Sequence, residues 1–457
     1  MRPAVRFGTL VGMPKLLNDM PLAWADELFR HPLHQETFGT LVLMIDRLRQ
    51  CRNFADYYGF QQDLLARVDV VQAHRLVCRG VARRLRAGRG LPTGAPELRS
   101  SGDVHDPATW ELEVDVCERV DRQLRSIADA MAWRVFNYDR RVIVALSRNQ
   151  SAGPMAGKAG QKSEREFVTD TWKENGSFVL LHDLTTCLTI GDATEFKTVG
   201  KDWEAYLHEI KTDPAQKKSS QRQRQRLAEA AIRDGSELPG DPDGRFASIG
   251  IPYKTHLAML RDAFEIAAKR GLADMKLPGG RVMIAADLRR GYELWSEDEF
   301  LERTGIAQER VLRRANLLNV GNHVFYGSDD RTARSPIQPP WAIYPLPSVM
   351  CANLIADQSV YIVTVSSEPL LGALRAAGMS AEWVLPSGQE TMQPGQVILR
   401  AYKGTRGIEM KPSDMQRLAL ELEDMSVWVE TVKTLLSKDD LSGHPWPCYG
   451  NEWKVWA

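Results

Sequence analysis

A chain of 457 residues is longer than one hydrophobic core ordinarily serves, and its length points to about three domains or one large domain with extensions. Lysine plus arginine number 59 and aspartate plus glutamate 59, so no global field draws the protein to a polyanion and any such attraction must come from local patches. The apolar fraction of 43% and the charged fraction of 26% are those of an ordinary soluble globular protein. Arg2 and Arg6 lead into a short mixed segment rather than the apolar stretch of a secretory leader. The longest apolar run near the start, Leu41 to Ile45, is far short of a membrane span. Cys51, Cys78, Cys117, Cys187, Cys351 and Cys448 are scattered, with no C-x-x-C pair and no Cys/His cluster at zinc spacing, which predicts buried reduced thiols in a cytoplasmic protein.

Residues 1 to 150 read as a mostly helical accessory domain. His31 and His34 flank Pro32 and are expected in a loop rather than at a metal. From Thr37 to Arg49, Phe38, Leu41, Ile45 and Leu48 recur at helical spacing and predict one buried stripe. Arg75, Arg79, Arg83, Arg84, Arg86 and Arg89 follow in a stretch with no acidic residue from Val70 through Pro96. A helix there would align Arg75, Arg79, Arg83 and Arg86 in one ridge able to track phosphates, or simply present a solvated face. Asp106-Pro107 is an N-cap followed by proline at the first helical position. It opens a long packing helix through Trp110, Val114, Cys117, Leu124, Ile127, Met131 and Val135.

Arg141 to Ser147 reads as a strand, and residues 151 to 162 as a Ser/Gly/Ala/Lys-rich linker. Ser163-Glu164-Arg165-Glu166 has the pattern of a capping box opening a helix to about Lys173.

The stretch Phe178 to Thr212 carries the chemistry. Sixteen residues separate Asp192 from the tripeptide Glu209-Ile210-Lys211. In a short strand from Leu207 to Thr212, period-two alternation puts Glu209 and Lys211 on one face and Ile210 toward a core. If the intervening chain forms a hairpin, Asp192 reaches the same surface. Two carboxylates with room for water and phosphate suit Mg²⁺, and a neighbouring lysine can orient or deprotonate an attacking water. The bland alternative is a salt-bridged pair on a solvent face, with Asp192 a turn residue after Gly191.

This D-x16-E-I-K arrangement, preceded by the apolar Leu188-Thr189-Ile190 and followed by a basic, glutamine-bearing helix, resembles the PD-(D/E)xK nuclease superfamily. Gly191 stands where that family often has proline. The resemblance covers about residues 163 to 290. It implies an α/β, restriction-endonuclease-like core with a mixed sheet, in which Asp192, Glu209 and Lys211 are catalytic. Asp192, Glu209 and the Ile210 carbonyl would hold Mg²⁺, for which Mn²⁺ substitutes. Members often carry a further acid on the helix before the sheet, for which Glu166 and Glu174 are the candidates.

Lys217 to Arg226 then leads into a helix that Ser219 or Ser220 caps. Gln221 and Gln225 fall on one face and Arg222 and Arg226 on the adjacent one, groups suited to phosphate oxygens and base edges or to a merely solubilising surface. A loop from Gly235 to Phe246, a helix Thr255 to Arg270, a turn Lys276 to Gly280 and an apolar strand Arg281 to Ala286 predict continuation of a mixed α/β sheet. Ser359 to Val365 reads as a buried strand, followed by a helix from Glu368 to Ala377 that Gly378 ends. The nuclease-like domain with insertions is thus expected over 163 to 405.

Residues 406 to 457 complete the chain as a helix and an aromatic tail. Met415, Leu418, Leu422, Met425, Val429, Val432 and Leu436 have heptad spacing, which suits either docking on its own domain or a homodimer or partner protein through the helix at 413 to 436. Trp446, Tyr449, Trp453 and Trp456 in the tail are expected to pack. No Walker A, dinucleotide or serine-hydrolase motif is present. The expectation is a cytoplasmic, Mg²⁺-dependent endonuclease acting on DNA, in a restriction or phage-defence setting, with no membrane partner. An RNA- or structure-directed nuclease, or a non-catalytic nucleic-acid-binding or assembly protein with a relic site, is the alternative.

Overall fold

A computed structural model describes residues 30–100, 102–147, 160–199, 202–210, 219–234, 238–239, 251–318, 320–328, 338–384 and 396–437. The protein is mixed α/β, and every strand pairing among the described residues is antiparallel. The chain divides into two compact units. One comprises Leu22–Pro242 with Arg334–Tyr344, and the other Met1–Pro21, Asp243–Ala333 and Pro345–Ala457. The first therefore takes in both the helical residues up to 147 and the stretch around Asp192. Among the described residues no helix is long and apolar enough to cross a membrane.

Helix α1 (Pro32–Gln50) buries Leu41, Ile45 and Leu48, three of the four residues of the expected stripe. Of the two histidines expected in a loop, His34 is buried in the first turn of α1, whereas His31 stands just outside the helix in extended backbone, where its ring Nδ1 accepts the Leu33 N–H at 3.2 Å and caps it, with Pro32 at the first helical position. A capping histidine looks in sequence like any loop residue, which is why the helix start was missed. Helix α2 (Phe54–Arg86) starts at a capping box in which Asn53 accepts from the Asp56 N–H and Asp56 from the Asn53 N–H. Helix α3 (Pro107–Val135) begins as expected, the Asp106 carboxylate accepting the Ala108 N–H at 3.0 Å. Asp106→Ala should therefore cost about 1 kcal/mol, read as a lower urea midpoint at unchanged slope.

Arg140–Leu146 is helix α4, not a strand. Its β-branched Val142, Ile143 and Val144 favour a strand locally. Asp139 overrides them, accepting the Arg141 N–H at 3.0 Å and pairing with the Arg141 guanidinium at 2.7 Å. Helix α5 (Gln161–Asn175) begins two residues before Ser163, with Gly160 as a cap that contributes no side-chain bond, so the capping box does not form. The expected linker lies mostly outside the described residues.

The sheet of this unit is a three-stranded meander, β1 (Phe178–Leu181), β2 (Ala193–Val199) and β3 (Asp202–His208), in the order β1-β2-β3. Phe178 lies opposite Phe196, and Ala193 opposite His208. One face buries Phe178 and Phe196 against Phe54 and Phe136. The free side of β1 is covered by α2, whose buried Gln61 donates to the Val179 carbonyl at 2.8 Å and accepts the Leu181 N–H at 3.1 Å. Such an amide satisfies a strand edge that would otherwise expose unpaired backbone groups. Helix α6 (Ser219–Asp234) follows the meander and buries Ala228 and Ala231.

In the other unit, helix α7 (Leu257–Arg270) leads into β4 (Leu272–Leu277) and β5 (Arg281–Asp287). β4 includes part of the stretch expected as a turn, the reversal being confined to Pro278–Gly280. Helices α8 (Leu288–Leu294) and α9 (Glu297–Arg314) precede β6 (His323–Gly327). Helix α10 (Ser348–Ile355), β7 (Ser359–Ser366) and α11 (Ser367–Ala376) follow. The sheet order is β4-β5-β7-β6. The strand at 281–287 thus belongs to a separate antiparallel sheet and does not extend the one beside Asp192, correcting the mixed-sheet expectation. Apolar periodicity specifies a buried strand without specifying its partners, which explains the error.

A second meander, β8 (Ser380–Trp383), β9 (Leu399–Lys403) and β10 (Arg406–Met410), precedes a short helix α12 (Gln416–Ala419) and helix α13 (Met425–Ser437). The expected single heptad helix is broken between these two, where Leu422 has φ +50°. The break is held by buried polar groups: Arg281, fully buried in β5, donates to the Glu423 carbonyl at 2.8 Å, and Arg417 pairs with the Glu423 carboxylate at 3.1 Å. The apolar residues of the stripe are buried within this unit. The aromatic tail lies outside the described residues.

Candidate active site

Asp192 sits immediately before β2, at the end of a loop whose shape is imposed from several sides. Arg125 of α3 donates to the Asp183 and Thr185 carbonyls at 2.9 and 2.7 Å. Asp129, one helical turn further, accepts the Thr186 and Cys187 N–H groups at 2.6 and 3.0 Å. Burial raises the Asp129 carboxyl above its ordinary value, and the bonds from Thr186 and Cys187 oppose that shift. At the end of α4 the Leu146 carbonyl accepts the Thr189 and Ile190 N–H groups at 2.8 and 3.0 Å. A loop with this many anchors presents its last residue on a fixed backbone.

His182 closes the loop on itself. A carbonyl can only accept, so the 2.8 Å contact to the Ile190 oxygen assigns the ring proton to Nδ1, and Nε2 accepts from the Thr194 hydroxyl at 2.7 Å. Burial pushes the His182 pKa down to about 4, against the opposing effect of the Ile190 and Gly191 carbonyls. His34 is likewise lowered to about 4, by burial and then by Arg119 and His31.

The unfolded chain binds protons at these histidines near pH 6.5 while the folded chain holds them neutral. Their stabilisation is complete above about pH 6.5 and is lost as the pH falls through about 4, by up to about 3 kcal/mol each. His34→Leu, which leaves the Asp192 loop untouched, should flatten the fall in urea midpoint between pH 7 and 4.5. An unchanged slope would contradict a neutral buried His34.

Gly191 has φ +76°, and a Cβ there would lie 3.1 Å from Gln225 Nε2 and 3.2 Å from the His208 carbonyl oxygen. The position needs glycine for both reasons. The same distances bring Gln225 of α6 against the backbone beside Asp192, and Gln225 Nε2 is buried without a hydrogen-bond partner among the described residues.

The register Ala193 opposite His208 places Asp192, just before β2, and Glu209, just after β3, at neighbouring strand ends. The Asp192 N–H donates to the His208 carbonyl at 2.9 Å, and Asp192 Oδ2 accepts the Ile210 N–H at 2.6 Å. The Asp192 carboxylate therefore lies at the peptide joining Glu209 to Ile210. Glu209 and Ile210 are half-buried and follow the strand rather than continuing it, so the expected strand from 207 to 212 ends early. Lys211 lies outside the described residues, as does the side chain of Gln221. Arg222 and Arg226 are exposed on α6.

The other sequence candidates fare differently. Glu166 and Glu174 are both exposed, and Glu166 pairs with Lys162 at 3.6 Å, one helical turn away on α5. The acid on the packed face of α5 is Glu164, which is in register with buried Val168 and Thr171. Arg79 and Arg83 are exposed on α2. Of the same ridge, Arg75 pairs with Glu118 at 3.6 Å and Arg86 with Glu111 at 2.6 Å, so half of it is already neutralised.

Sequence reasoning missed a second E-x-K, Glu195-Phe196-Lys197, which has the same spacing three residues beyond Asp192. Alternation along β2 puts Glu195 and Lys197 on the face opposite Phe196. There the buried Glu195 carboxylate pairs with His208 Nε2 at 3.0 Å and Lys197 Nζ at 3.4 Å, while the Phe167 ring of α5 lies 4.9 Å from the His208 ring. Glu195 thus fixes the residue preceding Glu209. The repeated spacing was the signal that pointed to it.

The groups that the sequence nominates here, the Asp192 and Glu209 carboxylates and the Ile210 carbonyl, are hard oxygen donors. They fit Mg²⁺ or Mn²⁺ better than a metal that prefers thiolate or imidazole. Comparison with protein-family models, with curated proteins and with solved structures gave no match.

Proposed function

We propose that the protein is a divalent-metal-dependent nuclease with a restriction-endonuclease-like core formed by α5, β1, β2, β3 and α6, acting on DNA. One observation carries the reading: Asp192 and the Glu209-Ile210 peptide, with sixteen residues between them in sequence, are joined by a 2.6 Å hydrogen bond at the end of a hairpin. The order helix, three-stranded meander, helix supports it. Gly191 departs from the proline common at that position in the superfamily, and its φ of +76° is one that proline cannot adopt.

In this reading Asp192, Glu209 and the Ile210 carbonyl would hold Mg²⁺. The ion supplies charge to offset that developing on the scissile phosphate and the leaving oxygen. Asp192 is oriented for this by the Ile210 N–H, and its loop by Arg125, Asp129 and His182. Lys211 would orient the attacking water. Gln225, at the Gly191 backbone, would donate to a substrate or water oxygen, and Arg222 and Arg226 would seat the phosphate backbone.

The test is cleavage by the purified chain with Mg²⁺ or Mn²⁺ of duplex, single-stranded and branched DNA and of RNA, alongside Asp192→Ala and Lys211→Ala. Cleavage that persists in both variants would remove the site assignment. Tight binding of nucleic acid with no cleavage under any condition would favour a binding or assembly role. Cleavage of RNA in preference to DNA would move the substrate class.

A further inference from the structure

We propose that His74, Cys78 and Glu113 form a site for a thiophilic divalent transition metal, zinc foremost, that ties α2 to α3 in the helical part of the first unit. The three residues each bring one ligand atom, and those atoms all lie within 4.8 Å of one another. His74 and Cys78 are one helical turn apart on α2, and Glu113 comes from the facing helix α3.

Two of the three separations are close to what a tetrahedral ion requires, and the third, from the Glu113 carboxylate to Cys78 Sγ, is within 4.8 Å. From usual zinc–nitrogen, zinc–oxygen and zinc–sulfur bond lengths, neighbouring donors lie about 3.3 to 3.6 Å apart. His74 Nε2 is 3.1 Å from Glu113 Oε2 and 3.5 Å from Cys78 Sγ. An ion could enter with side-chain movements of a few tenths of an ångström to about one ångström.

The orientation of Glu113 is the second observation. It is fully buried, and its Oε1 accepts three bonds, from His31 Nε2 at 3.1 Å and from the Arg99 and Ser100 N–H groups at 2.9 and 3.0 Å. Those bonds hold Oε1 and turn Oε2 toward His74 and Cys78. Outer groups that fix a ligating carboxylate in this way are a regular part of metal sites. His31 therefore has a positioning role, which also accounts for a buried histidine at the α1 cap.

Cys78 is fully buried, whereas the His74 side chain keeps 17% exposure, which gives an ion a route in. On coordination Cys78 gives its thiol proton to solvent, since the thiolate is the ligand. The donor set of nitrogen, sulfur and oxygen selects zinc or cobalt over Mg²⁺ and leaves a fourth position for water.

Sequence spacing alone hides this site. His74-x3-Cys78 resembles no paired zinc motif, and Glu113 lies 39 residues from His74.

The experiment uses the full chain, freed of metal with a chelator under reducing conditions and titrated with Co²⁺. Expected is one equivalent taken up with a near-ultraviolet thiolate-to-cobalt charge-transfer band and tetrahedral visible bands, all displaced by Zn²⁺. Cys78→Ser should lose the charge-transfer band. Cys351→Ser, a buried cysteine of the other unit, should keep it. His74→Asn should lower cobalt affinity at least about tenfold, and it answers the question if Cys78→Ser does not fold, as judged by circular dichroism. A folded wild-type chain that shows no charge-transfer band, or a band that survives in Cys78→Ser, overturns the proposal. The readout is independent of cleavage, and an all-oxygen site at Asp192 and Glu209 gives no thiolate band, so the two readings fail separately.

Discussion

On the proposed nuclease reading, Asp192→Asn is expected to lower Mg²⁺-dependent cleavage by at least about a thousandfold while leaving the fold intact. The substitution is nearly isosteric. An asparagine Oδ1 can still accept the Ile210 N–H, now held at 2.6 Å, and the backbone bonds of residue 192 to His208 and His182 do not depend on its side chain. What disappears is the negative charge. A neutral amide oxygen is a poor ligand for an ion that sheds water reluctantly, so affinity for Mg²⁺ and stabilisation of the phosphate fall together. The measurement is initial cleavage rate against Mg²⁺ concentration, with thermal unfolding as the check that stability changes by no more than about 1 kcal/mol. A loss of less than about tenfold at every Mg²⁺ concentration would mean that Asp192 is not at the reacting centre.

Phe196→Ala carries the largest expected stability effect, about 3 to 5 kcal/mol. Its ring is fully buried, with centroids of Phe136, Phe54 and Phe178 at 5.3, 5.7 and 5.8 Å. Truncation removes the apolar burial and leaves a cavity among groups from α2, the turn after α3 and β1. None of these can close onto it without moving the others. Against a domain stability of about 5 to 15 kcal/mol this is a large share, and it falls on the strand that Asp192 precedes. Urea unfolding should show the loss as a lower midpoint. Phe196→Leu, which refills much of the volume, should cost less than half as much. Equal losses from the two variants would argue against a cavity.

These expectations differ in how visible their causes are in the chain. The α3 start at Asp106-Pro107 and the buried strand at 359–366 were legible, because capping chemistry and unbroken apolar runs are local. The hairpin between Asp192 and Glu209 was expected from the spacing, but the strand period was misplaced: β3 ends at His208, so Glu209 and Ile210 follow it rather than lie in it. The helix at 140–146 was misread although its signal is equally local: Asp139 caps it as Asp106 caps α3, and the β-branched residues that follow outweighed that cap in the reading. The break between α12 and α13 was hidden because heptad spacing runs through Leu422, and distant groups interrupt it: buried Arg281 on the Glu423 carbonyl, Tyr361 on the Leu420 carbonyl and Tyr253 on the Glu421 carboxylate.

Glu195 and Glu113 show the same limit at sites. Glu195 stands in a second E-x-K whose importance comes from its pairing with His208, and Glu113 gathers partners from three separate stretches of chain.

By itself the amino-acid order determined where most helices and strands form and which acids could meet at one hairpin end, because capping, periodicity and short-range pairing act within about ten to twenty residues. Tertiary structure alone decided three things: which sheet the strand at 281–287 joins, which carboxylates are buried with partners, and that His31, His74, Cys78 and Glu113 come together. Those outcomes depend on groups far apart in the chain competing for the same desolvated space, where an unpartnered charge or an unfilled volume costs several kilocalories per mole.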